Sequence, residues 1–132
     1  MLAITSLLFL TNAIHAWCRS AYVYSISLLS LTTTSYLLHM SDKHDVYNSP
    51  LFWFDQVAIF LLLYIYVYYT VSLPFNAQIV AFLALGIVTM LYYGGYATGS
   101  CCFDESKERA TFAHMCMHTV GSIGFHFVAA TI

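Results

Sequence analysis

Apolar residues run along this chain in long unbroken blocks rather than in alternation. The blocks cover about 2–17, 21–40, 51–71, 75–96 and 111–132. A helix needs roughly 20 mostly apolar residues to cross the hydrocarbon of a bilayer. Lipid admits only helices and closed barrels, and barrel strands alternate apolar with polar positions. The pattern therefore predicts an all-α, polytopic transmembrane helix bundle of about five spans, with residues 1–132 as one domain. Pro74 precedes the fourth block, where its fixed φ suits the start of a helix. The first block is short, and "TNA" offers a small-residue cleavage site, so a signal peptide is the alternative there. It lacks the basic leading segment such a peptide carries, and we read it as a retained helix.

Composition sharpens this reading. Charged residues make up 8% and hydrophobic ones 61%, against about 25% charged in a soluble domain, so the chain belongs in lipid. A net charge of −2 gives no basic surface for nucleic acid. Cys18, Cys101, Cys102 and Cys116 show no CxxC spacing, which argues against a disulfide framework or a cysteine zinc site. Cys101 and Cys102 are read as free thiols, with lipidation of a juxtamembrane loop as the alternative. No internal repeat is visible.

The polar breaks set the parity of the spans. "SDKHDVYNSP" parts the second and third blocks, "SLPFNAQ" the third and fourth, and "GSCCFDESKER" the fourth and fifth. With five spans, the N-terminus and the loops at 41–50 and 99–109 share one face. His39 ends the second helix on that face, with Ser35 one turn earlier and Asp42 three residues later; these spacings put all three on one side of a helix. Asp55 opens the third helix on the same face, and His114 and His118 open the fifth. Polar groups in hydrocarbon are costly and mark partners or function.

Three imidazoles from two helices at one depth describe a metal site. Neutral imidazole favours Zn2+, and three protein ligands leave the open position of a catalytic zinc, whose bound water has a pKa of about 7. A nearby carboxylate can orient that water or take its proton. Asp55 is the first choice, as the one acid embedded in an apolar run, and Asp42 the second. His15, His44 and His126 are read as interfacial, loop and packing residues. Asp104, Glu105, Lys107, Glu108 and Arg109 are read as a solvated loop. The serines and threonines of the second helix are expected to bond to helix carbonyls, Tyr64, Tyr66, Tyr68 and Tyr69 to pack and form an interfacial belt, and Gly121, Ser122 and Gly124 to serve close helix contact.

Three motifs, "SYLLHMSD", "LFWFDQ" and "HMCMH", resemble the CREST superfamily of alkaline ceramidases, progestin and adipoQ receptors and GPI-anchor lipid-remodelling proteins. They are most similar to its branch of myomaker and GPI-processing phospholipases, as is the opening "ITSLLFLTNAIHAWCRSAYVY". The resemblance implies zinc on His39, His114 and His118, a water-orienting role for Asp55 and a supporting role for Ser35. Family members generally have seven spans. Losing two between the third helix and "HMCMH" preserves parity but puts a closed substrate cavity in question.

The resemblance leaves three functions to weigh. One is a zinc-dependent hydrolase of lipid amide or ester bonds. Another is a non-enzymatic, myomaker-like protein of membrane fusion or remodelling with a structural zinc. The third is a lipid-binding receptor. The expected partners are membrane lipids, with a homo-oligomer or partner membrane protein left open, and the expected location is the plasma membrane or an endomembrane. Lys43, Lys107 and Arg109 on the site face, against Arg19 on the other, lean towards a cytoplasmic site; the myomaker branch implies the opposite.

Overall fold

The computed structural model describes residues 2–41 and 49–132, and among them there is helix and no strand. Helices α1 (Leu2–Ser6) and α2 (Leu8–Cys18) form a first rod with a break at Leu7. Helix α3 (Tyr22–Met40) is the second rod and α4 (Pro50–Thr70) the third. The fourth comprises α5 (Phe75–Thr89), a π turn (Met90–Gly94) and α6 (Gly95–Thr98). A 3₁₀ turn (Cys101–Phe103) leads to α7 (Lys107–Thr131), the fifth. Two stretches are long and apolar enough to cross a membrane, Pro50–Thr70 and Phe75–Thr98. The first rod is shorter.

Local chemistry explains the ends of these helices. Ala21 N–H bonds to Ala16 O at 2.9 Å and Ser20 N–H to Trp17 O at 2.9 Å, the two bonds of a Schellman stop. Ser20 takes the left-handed conformation (φ 62°) where glycine is usual. Ser49 caps α4 by accepting from Leu51 N–H, with Pro50 in the first turn. Gly99 closes α6 at φ 63°. Helix α7 starts earlier than the apolar block at 111–132 suggests. Asp104 Oδ1 accepts from Ser106 N–H at 2.8 Å and from Arg109 Nε at 3.1 Å. The exposed Lys107, Glu108 and Arg109 therefore form a first helical turn rather than a loop.

Helix α2 packs against α3 and α7, α3 also against α4, and α5 against α7. Small residues allow close approach: Ala13, Ala16 and Ala21 are buried where α2 meets α3. A Cβ added at Gly124 would lie 2.9 Å from Ala84 Cβ and 3.2 Å from Tyr66 Oη, so glycine sets the α7–α5 distance. Ser27, Ser30, Thr32 and Thr33 donate to carbonyls one turn back in α3, and Ser25 to Ala13 O of α2. Buried Asn12 and Ser122 exchange two bonds of 2.8 and 2.9 Å across α2 and α7. Apolar side chains cover the outside. Phe75 (73% exposed), Leu83 (62%) and Met90 (69%) project from the fourth rod, a surface suited to lipid rather than water.

Candidate metal centre

Among the described residues the start of the first, third and fifth rods meets the end of the second and fourth: Thr5 meets His118, Ser6 meets Ser35, Asp55 meets Thr34 and Gln56 meets Tyr92. At that end His39 of α3 faces His114 and His118 of α7. One ligand nitrogen from each lies within 4.8 Å of the others. Ring centroids are 4.8 Å apart for His39–His114 and for His114–His118, and 5.5 Å for His39–His118. The one-turn spacing of His114 and His118 puts both rings on the face of α7 turned to α3. Zinc–histidine bonds of about 2.0–2.1 Å put ligand nitrogens roughly 3–4 Å apart, and the three histidines lie close enough together to hold one ion.

His118 is buried at 2% exposure, and its Nδ1 lies 2.8 Å from Thr5 Oγ1 of α1. Phe9 packs edge-on to the same ring at 5.1 Å. Ser35 is buried, and its hydroxyl lies 3.0 Å from that of Ser6. Asp55 is buried at 5% exposure and accepts from Thr34 Oγ1 at 2.9 Å. No cationic partner for it occurs among the described residues. Asp42 and His44 lie outside the described residues.

His39, His114, His118, Ser35 and Asp55 all line one cavity of about 120 Å³, to which all five rods contribute. Away from the histidines it is walled by apolar groups, among them Leu62, Leu85 and Phe125. The arrangement thus offers three nitrogen donors, a buried carboxylate and a hydroxyl at the polar end of an apolar slot.

Several residues on or behind this wall escape a reading from the sequence. Tyr92 and Tyr93 both line the cavity although they are consecutive. They sit in the π turn, a feature frequent at functional sites. Gln56 donates to Tyr92 Oη at 2.9 Å, while Tyr93 Oη is buried with no hydrogen-bond partner among the described residues. Thr5 and Ser6 carry a weak signal, two adjacent hydroxyls at the end of the first rod that parity places beside the histidines.

His126 stands apart from the cluster of three. It is more than a packing residue, however, and His15 is more than an interfacial one. The two share a contact of 2.9 Å between their Nδ1 atoms, and Thr11 Oγ1 lies 3.1 Å from His126 Nε2. Tyr66 is buried and bonded to Ala81 O, whereas Tyr64 and Tyr68 face outward. The four cysteines are free.

Comparison of the chain with family models, curated proteins and solved structures finds no match.

Proposed function

We propose that the chain is a five-span integral membrane protein that holds zinc on His39, His114 and His118 and hydrolyses an amide or ester bond of a membrane lipid. This is the activity of the CREST enzymes that its motifs resemble. One observation carries the reading: three imidazoles, a buried carboxylate and a buried hydroxyl from three helices, α3, α4 and α7, converge on one apolar cavity. The donor set fits zinc, since three histidines leave one position free for catalysis. Zinc bound there would supply Lewis acidity and activate water near neutral pH. The apolar wall receives the acyl chain and excludes bulk water. Asp55, steadied by Thr34, takes a proton from the attacking water. Ser35, tied to Ser6, supports the scissile group from the α3 side. The alternating rods and the apolar exterior support the multi-pass reading.

Detergent-purified protein supplied with zinc should release fatty acid from an acyl-amide or acyl-ester lipid, and His114→Ala should not. A second reading draws on the count of five rods, two short of the CREST pattern, with the difference falling between α4 and α7. In that reading zinc is a clamp and the protein acts in membrane fusion or remodelling. Cell–cell fusion on expression, without lipid turnover by the zinc-loaded protein, would establish it in place of the first.

A further inference from the structure

We propose that Thr5 fixes the tautomer of His118, making the short N-terminal helix a working part of the metal centre. This rests on the reading of the three histidines as ligands of one ion. A threonine hydroxyl has one hydrogen. That of Thr5 has two acceptors within reach, Leu2 O at 2.9 Å and His118 Nδ1 at 2.8 Å; the assignment to Leu2 O follows the usual local bond of a helical threonine. Towards His118 the oxygen can then only accept, so the hydrogen of the 2.8 Å contact belongs to His118 Nδ1. A neutral imidazole protonated at Nδ1 carries its lone pair on Nε2. Metal binding needs that lone pair, and outer partners of this kind fix which nitrogen offers it.

Burial makes the arrangement binding on the ring. His118 is 2% exposed, so water cannot readily replace Thr5 as the acceptor. Without the threonine oxygen the Nδ1–H would be a buried donor with no acceptor, which costs about 1–3 kcal/mol. The ring would then favour the other tautomer, with its proton where the ion should sit. The neighbouring residue extends the role of α1. Ser6 meets Ser35, one turn before His39, so this five-residue helix touches both helices that carry ligands. Thr5 is a positioning residue: it acts on the ion through His118.

The test uses the full chain in detergent micelles with three variants, Thr5→Val, Thr5→Ser and Ser6→Ala. Histidine ¹⁵N NMR of the metal-free protein reads the tautomer, and zinc titration reads the affinity. Wild type and Thr5→Ser should show His118 protonated at Nδ1 and bind zinc alike. Thr5→Val should lose that tautomer and bind zinc about 10–100-fold more weakly. Ser6→Ala removes the adjacent bond of the same helix and should keep the tautomer, which separates ring orientation from loss of α1 itself. His118 protonated at Nε2 in the wild type overturns the proposal. So does a Thr5→Val protein that takes zinc like the wild type, and in that case the zinc site stands. A wild type that takes no zinc removes the site, and with it the role of Thr5.

Discussion

Replacing Asp55 with asparagine isolates the role of the carboxylate, because the amide keeps the shape of the side chain and removes only its charge. Asparagine Oδ1 can still accept from Thr34 Oγ1, which lies 2.9 Å from the present carboxylate. Asp55 is 5% exposed with no cationic partner among the described residues. A buried unpaired charge is costly, so the variant should be as stable as the wild type or more so. Its three histidines are untouched, and at saturating zinc it should be fully loaded. What it loses is a proton acceptor, which typically contributes about 10²–10⁴-fold in rate. At about 1.4 kcal/mol per tenfold this is roughly 3–5 kcal/mol of barrier. The assay is fatty-acid release from acyl-amide and acyl-ester lipids by purified, zinc-saturated protein, with the unfolding midpoint measured alongside. Asp42→Asn should do less, since the sequence puts Asp42 in the polar break after the second apolar block. Undiminished turnover by Asp55→Asn would refute the role given to Asp55.

Gly124→Ala places a Cβ 2.9 Å from Ala84 Cβ and against Tyr66 Oη, whose bond to Ala81 O holds it in place; the α5–α7 contact must open, at about 1–3 kcal/mol, read as a lowered thermal midpoint in detergent. Ser20→Gly relieves the left-handed serine of the α2–α3 turn and should raise stability by about 0.5–1 kcal/mol, measured the same way. In the loop before α7, burial, with the Cys101 thiol beside it, pushes the Cys102 thiol up to about 11. Since the thiolate is the nucleophile, Cys102 should react with maleimide at pH 8 about 100-fold more slowly than an ordinary thiol of pKa about 8.5, which mass-spectrometric labelling kinetics can check.

The helical architecture is legible in the sequence because long apolar blocks follow a simple rule. A long apolar block has one way to satisfy its backbone, so the blocks at 51–71 and 75–96 become helices with little ambiguity. The histidine cluster is legible for a related reason: alternating rods make position along each helix a measure of depth, and depth brings His39 to His114 and His118. The residues around the ligands are harder to see. Hydroxyls are common on α3 and in the first rod, so the weak signal of two adjacent hydroxyls in "LAITS" does not single out Thr5 as the partner of a histidine far along the chain. The π turn has no compositional signature in "MLYYG", so the shared facing of Tyr92 and Tyr93 emerges only from the backbone. The start of α7 was hidden because its first turn is charged, and apolar continuity is blind to a turn held by Asp104 and Arg109. His15 and His126 lie on rods whose relative rotation the sequence does not fix, so their contact could not be foreseen.

The central claim is that His39, His114 and His118 hold one zinc ion, and elemental analysis of the detergent-purified protein tests it most directly. Wild type and His39→Ala should be loaded with zinc, desalted and measured side by side, with circular dichroism showing that both remain helical. About one zinc per wild-type chain is expected, and its loss from the variant, because a catalytic-type site has three protein ligands and two do not suffice. A wild-type protein that emerges without zinc, or a His39→Ala protein that keeps it, would contradict the account.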